Sequence, residues 1–192
     1  MARNFVEEEV FERKDFTAEP LPKGEYTQCR FVQCTFAKAD LIGVVFLECT
    51  FEGCDLSLAK VRQAAFRDVR FVDCKLLGLS FDQCNAFLFS IRPERSNLSS
   101  CSFRGLRMEN AVFRGCSLQG ADLTEAVLTG AVFDACDLLD AAFERTDLTK
   151  ADLRTARHYI IDPEENKVKG ARFSTSGVAG LLAKYGVVIE HD

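Results

Sequence analysis

The side chains with reactive potential are nine cysteines, two histidines and a long series of aspartates. Cys29, Cys34, Cys49, Cys54, Cys74, Cys84, Cys101, Cys116 and Cys136 would suggest disulfides in a secreted chain, with one thiol left over. A zinc centre would need closely spaced Cys or His ligands, but no Cys-x-x-Cys pair occurs and His158 and His191 stand alone. The spacing instead follows a multiple of five, broken only between Cys84 and Cys101. That arithmetic makes these residues small apolar fillers, each a slightly larger alanine. A reducing compartment is then their natural home. There is no Gly-x-Ser-x-Gly elbow, no phosphate-binding Gly-Lys-Ser/Thr loop and no Gly-x-Gly-x-x-Gly motif. No catalytic, cofactor-binding or metal-ligating residue is assigned, and the chain is not read as an enzyme.

The element that positions these residues is a period of five. In the stretch Gly120–Phe133, Leu123, Leu128 and Phe133 recur every fifth residue, and Ala121, Ala126 and Ala131 each precede one by two. Equivalent central residues run from Phe11 through Phe81 without a gap, then shift by two and resume at Leu88, Pro93 and Leu98. They continue to Leu153 and reappear in phase at Phe173. Fourteen of the 17 phenylalanines occupy this position, where an even spread would put a fifth of them. Residues i and i+5 fall on different faces of a helix and on opposite faces of a flat strand. The chain must therefore turn once per five residues, pointing each Leu or Phe at a common axis. The residue two before each centre points inward near a corner and is mostly Ala, Cys, Val, Ser, Thr or Gly. Glu9, Lys14 and Glu19 break that rule, which predicts a frayed or modified first turn after a lead-in over residues 1–10.

Composition narrows the partners. The chain has 192 residues and a formal net charge of −5, which argues against a general binder of nucleic acid or anionic membranes. No window approaches the ~20 apolar residues of a membrane-spanning helix. Met1–Glu9 turns acidic where a signal peptide needs an apolar run, so a cytoplasmic location is expected.

Ala39-Asp40-Leu41, Ala121-Asp122-Leu123 and Ala151-Asp152-Leu153 match the unit Ala-Asp/Asn-Leu-x-x, and Cys54-Asp55-Leu56, Cys136-Asp137-Leu138 and Thr146-Asp147-Leu148 are close variants. On these residues the chain resembles the pentapeptide-repeat family over about 11–173. The resemblance implies an all-β fold, a right-handed quadrilateral β-helix with four pentapeptides per coil and seven to eight coils. Such a rod would be roughly 35–40 Å long. It also implies two stacked columns, Phe11, Phe31, Phe51 and Phe71 in one, and Phe113, Phe133, Leu153 and Phe173 in another. The Asp before each centre is read as a corner cap or a solvated face.

Two segments depart from the repeat. The register shift near 82–97 is either a recognition bulge, with Phe87, Phe89, Arg92 and Arg95 as its candidates, or a kink between two stacked halves. At the other end, Asp162–Gly170 reads as a polar excursion from the last coil. Ser174-Thr175-Ser176 offers helix caps, a short helix follows with Gly186 as its stop, and Val187-Val188-Ile189 reads as a terminal strand. Residues 1–173 are thus expected to form one β-helix domain and 174–192 a cap. The tail resembles that of the Qnr quinolone-resistance proteins, which implies a head-to-head homodimer through Val178, Leu181, Leu182, Tyr185, Val187 and Ile189, about 70–80 Å long.

The outward surface is left to carry function. Residues 109–152 hold nine acids against three bases, a charge of −6. Asp122, Glu125 and Glu144 are expected on one side, and Asp137 and Asp140 on the side before it. Two readings follow: a protein-interaction module whose acids are merely solvated, or, by resemblance to Qnr proteins, an imitation of duplex DNA that binds a type II topoisomerase such as gyrase. Neither involves direct contact with nucleic acid or membrane.

Overall fold

The computed structural model describes residues 4–188. Short strands begin with β1 (Asn4–Glu7), β2 (Val10–Glu12), β3 (Gly24–Thr27), β4 (Arg30–Val32), β5 (Val45–Leu47) and β6 (Thr50–Glu52). They continue with β7 (Ala65–Arg67), β8 (Val69–Val72), β9 (Ile91–Glu94), β10 (Val112–Arg114) and β11 (Val132–Asp134), and the helix α1 (Ala179–Leu182) follows. Every pairing is parallel. One sheet stacks β1-β3-β5-β7 and the other β2-β4-β6-β8-β9-β10-β11. Single-residue ladders form the remaining sides, one through Asp15, Thr35, Asp55, Lys75, Asn97, Ser117, Asp137 and Arg157, and another through Ser80, Ser102, Asp122 and Ala142. Partners lie 20 residues apart, as Phe11 with Phe31 and Phe31 with Phe51. Four pentapeptides thus make one coil of a right-handed β-helix of about 7 turns.

The inward residues form one continuous core. Phe31 stacks on Phe11 at 4.9 Å and on Phe51 at 4.7 Å between centroids, and Phe51 stacks on Phe71 at 5.1 Å. Phe113 stacks on Phe133 at 5.1 Å with rings 2° from parallel. The two expected columns are one. Phe71 pairs with Pro93, and the next residue, Glu94, pairs with Arg114, so the two-residue shift carries the first column through Pro93 into Phe113.

The small slot is more than a place for alanine. All nine cysteines are free and buried. Cys34, Cys54 and Cys74 each donate Sγ–H to the carbonyl 23 residues earlier, that of Phe11, Phe31 and Phe51, at 3.2–3.3 Å. The hydroxyls of Ser96 and Thr146 reach Phe71 and Leu123 in the same way, and Asn166 Nδ2 reaches Phe143. Where the slot holds Cys, Ser, Thr or Asn, the side chain adds a donor to a carbonyl of the preceding coil that can already accept from the backbone, as Leu123 O does from Ala126 N–H at 3.1 Å, whereas Ala121, Ala126 and Ala131 fill the same slot by size alone. Burial pushes the Cys49, Cys84 and Cys101 thiols up to about 12, so they stay protonated.

Corners follow one rule. The residue two after most centres adopts positive φ, as at Arg13 (50°), Gln33 (52°), Glu125 (60°) and Asp140 (56°). Left-handed backbone strains a residue with a Cβ. The N–H freed by that turn offsets the strain by bonding to the next coil, Arg13 to Val32 O at 2.9 Å and Gln33 to Glu52 O at 2.8 Å. Glycine relieves the strain at Gly130, where a Cβ would also press on Asn110. The Asp before a centre caps the corner as expected: Asp40, Asp55, Asp122 and Asp147 each accept the N–H two residues on, at 2.9–3.0 Å.

The ends differ from expectation. The lead-in already belongs to the coil, because β1 pairs with β3 from Asn4 to Glu7 and Val6 packs against the core as a centre opposite Tyr26. Gly24 is required there, since a Cβ would collide with Asn4. Residues 162–170 are no excursion. Thr146 N–H donates to Asn166 Oδ1 at 2.9 Å, and the Leu148 and Lys150 N–H groups donate to the Lys167 and Lys169 carbonyls at 2.8 and 2.9 Å, so this stretch completes a coil in register. The repeat is hidden there because Pro163 and Asn166 stand where Phe and a small apolar residue are usual.

Candidate functional surface

The acidic side is built as the 20-residue coil requires. Glu125 N–H bonds to Glu144 O at 2.8 Å, placing those two residues on adjacent coils, and Asp122 bridges to Ala142 beside them. Its charge, however, is largely matched. Asp122 accepts from Arg104 Nε at 3.1 Å, and Glu125 from Arg145 at 2.7 Å. Asp137 lies 2.9 Å from His158 Nδ1 and 3.5 Å from Arg157. Asp147 and Asp152 face Lys167 and Arg172 one coil later, at 3.5 and 3.6 Å. Of the five candidate acids, Asp140 and Glu144 have no ion pair among the described residues. A count along residues 109–152 misses Arg104, Arg157, Lys167 and Arg172 because, in a solenoid, a neighbour lies about 20 positions away rather than one.

The register shift makes a local site. Centres do not resume at Leu88. Phe87 and Leu88 form the tip of a turn and are 66% and 64% exposed, while Phe89 folds inward and packs edge-on against Phe81 at 5.7 Å. The Arg67 guanidinium lies over the Phe87 ring at 5.5 Å. Arg92 pairs with Asp68 at 2.8 Å and Arg95 with Asp73 at 2.8 Å, on successive coils of the same face. Of the four bulge candidates, the structure therefore presents Phe87, Arg92 and Arg95 outward and uses Phe89 as core.

The tail folds back against the last coil. α1 is followed by a 3-10 turn over Ala183–Tyr185, and Gly186 stops it at φ 60°. Ser174 Oγ accepts from Gly177 N–H at 3.0 Å, so it caps the preceding turn, whereas Val178, the N-cap of α1, makes no side-chain capping bond. Gly177 and Gly180 lie so close to Tyr159 that a Cβ at either would collide with it. Lys184 bonds Asp162 at 2.7 Å and also Glu164, and Tyr185 OH donates to Glu164 at 2.9 Å, clamping the tail to the last coil. Leu181 packs against the core. Val178, Tyr185 and Val187 are exposed at 41%, 54% and 53%, and Leu182 is half-buried. Val187 and Val188 take no strand, and Ile189, like His191, lies outside the described residues.

Among the described residues no cluster of His, Cys, Asp or Glu could hold a metal ion, and no helix is long and apolar enough to cross a membrane. No curated protein matches the sequence. A trypsin-treated variant of QnrB1, described as a plasmid-mediated fluoroquinolone resistance protein, shares the fold with a TM-score of 0.77 and 17% identity, over 98% of this chain and 92% of that one. A second trypsin-treated QnrB1 variant matches with a TM-score of 0.51 and 20% identity, over 98% of each chain. The family model of pentapeptide repeats matches in eight copies over residues 27–57, 94–130 and 126–157. With the 20-residue register and the stacked inward centres, these matches show that the chain belongs to the pentapeptide-repeat proteins.

Proposed function

We propose that the chain is a non-catalytic protein-interaction module that works through its outer surface and pairs head to head through its C-terminal end. One observation carries this reading: the inward positions are consumed by a single core, so that outward side chains alone remain to meet a partner. On the acidic side the two candidate acids without an ion pair, Asp140 and Glu144, are the contacts offered to that partner. The exposed apolar residues Val178, Tyr185 and Val187, at the end of a rod already capped by Leu181, support the dimer. Nine free thiols support a reducing, cytoplasmic setting. In a cross-linking capture, Asp140→Lys/Glu144→Lys should abolish the captured partner while circular dichroism stays native. Unchanged capture would refute the role of this side.

A second reading is favoured by the match to QnrB1 across nearly the whole chain: a DNA-mimicking rod that binds gyrase or topoisomerase IV and modulates quinolone susceptibility. The pairing of Asp122, Glu125 and Asp137 with basic residues weighs against it, because a duplex presents unneutralised charge at every step. Titration into a gyrase supercoiling assay, with and without a fluoroquinolone, separates the two. Inhibition of supercoiling or relief of the drug supports the mimic, and neither effect leaves the interaction module.

A further inference from the structure

Between the coil that carries the register shift and the next one, the backbone ladder opens. Asp82 N–H reaches Ser102 O at 3.2 Å, and donation to the following coil resumes only at Arg95 N–H to Arg114 O, at 2.7 Å. Among the described residues no backbone hydrogen bond joins residues 84–90 to residues 104–111, and β9 pairs with β10 only at Glu94 and Arg114.

Two causes act together. The extra residues lift Phe87 and Leu88 away from the stack. Pro93 then occupies a centre, where residues such as Phe36 and Leu56 donate their N–H to a carbonyl 19 positions on. Proline has no N–H, so the Val112 carbonyl loses that rung. The result is a cleft of about 630 Å³ at this break.

Its charge is opposite to that of the chain. Arg70, Arg92, Arg107 and Arg114 line it against Glu94 and Glu109. Arg70 and Arg114 both lean on Glu94, at 3.5 and 3.9 Å, too long for either guanidinium to be fully satisfied. Arg92 and Arg107 are held by Asp68 and Glu109 with their side chains 61% and 74% exposed. Forked donors of this kind are suited to carboxylates.

We propose that this cleft binds an extended acidic peptide segment of a partner protein. The peptide's main chain supplies the N–H that Pro93 lacks, its carboxylates pair with the arginines, and the exposed Phe87–Leu88 tip offers an apolar contact at the entrance. A bare oxyanion fits less well, since the open carbonyl lip would face its charge. The inference rests on residues and a charge sign that the acidic side does not share, so it stands or falls apart from the proposed function.

The test is fluorescence anisotropy with a labelled peptide of alternating Glu and Val, beside a Lys-Val peptide of equal length. Saturable binding of the Glu-Val peptide alone is expected. Arg70→Glu/Arg107→Glu should weaken it at least ~tenfold, with circular dichroism unchanged, whereas Asp140→Lys/Glu144→Lys should leave it intact. Absence of saturable binding to the native protein, indifference to the arginine substitutions, or full competition by equimolar inorganic phosphate would each overturn the proposal.

Discussion

Replacing Phe51 by alanine removes a fully buried ring from within the stack. Phe51 is fully buried, lies between Phe31 at 4.7 Å and Phe71 at 5.1 Å, and meets Phe36 and Phe46 edge-on at 5.7 and 5.2 Å. A phenylalanine buries about 150–250 Å². Losing the part an alanine cannot replace removes about 3 kcal/mol of transfer energy at ~25 cal/mol per Å². The coil walls are hydrogen-bonded to both neighbours and cannot collapse into the void, so a cavity term of about 1 kcal/mol is added, for a total near 4 kcal/mol. Phe11 supplies an internal comparison. It is only half-buried and stacks on one side, so Phe11→Ala should cost about half as much. Phe87 is 66% exposed, and Phe87→Ala should stay within ~0.5 kcal/mol. Urea unfolding followed by circular dichroism measures all three. Hydrogen exchange should show the loss of protection centred on the coils around Phe51, because stability in a solenoid is carried by neighbouring repeats. A cost below ~1.5 kcal/mol for Phe51→Ala, or equal costs at Phe51 and Phe87, would refute the picture of a rigid central stack.

Other outcomes follow from the same geometry. Native protein should react with none of its nine thiols when treated with a chromogenic disulfide at pH 8, and with all nine in guanidinium, because each thiol is buried. Val187→Asp should convert a dimer to a monomer by light scattering; a wild type already monomeric refutes the tail interface. The bond from Arg154 lowers the Asp152 carboxyl to about 2, and the bonds from Lys23 and Lys184 lower Asp40 and Asp162. A folded carboxyl that holds its proton less tightly than the unfolded one stabilises the fold fully above about pH 4. That contribution should disappear as the pH falls from about 4 toward 2, seen as a falling urea midpoint, and Asp152→Asn should flatten the fall. An unchanged profile in Asp152→Asn would show that this carboxyl contributes nothing.

The core is legible in the sequence because the inward centres repeat without regard to what surrounds them. Phe31, Phe51, Leu123 and Phe133 fall where a period of five puts them, and the structure buries each one. What the period does not show is how the coils pair. The column from Phe11 to Phe173 looks like two because Pro93 stands at its middle, and only the ladder shows Phe71 facing Pro93. Leu88 fits the numbers as a centre and is exposed, because the inserted residues let the larger ring of Phe89 reach the core instead. The donor role of the small slot is hidden as well. Cysteine beside alanine suggests size, whereas Ser96, Thr146 and Asn166 at the same position share with cysteine the capacity to donate.

Charge demands the same change of viewpoint, and it decides where a partner would be met. A run of nine acids between residues 109 and 152 describes the string, while the molecule presents columns. Around the Asp137 carboxylate lie Gln119 from the coil before and Arg157 and His158 from the coil after, so a single acid is surrounded by donors. The cleft shows the opposite balance. Arg70 stands opposite Arg92 on the next strand, and Arg114 stands opposite Glu94 on the strand after that, so three guanidiniums gather on one face over three coils. Like charges one strand spacing apart repel unless a counter-charge intervenes. Arg92 turns to Asp68, which leaves Glu94 to be shared among Arg70, Arg95 and Arg114. That sharing leaves the arginines short of acid beside Pro93, where the ladder is also short of an N–H. The acidic side is nearly satisfied within the chain and the open cleft is not, so the cleft makes the stronger demand for a partner.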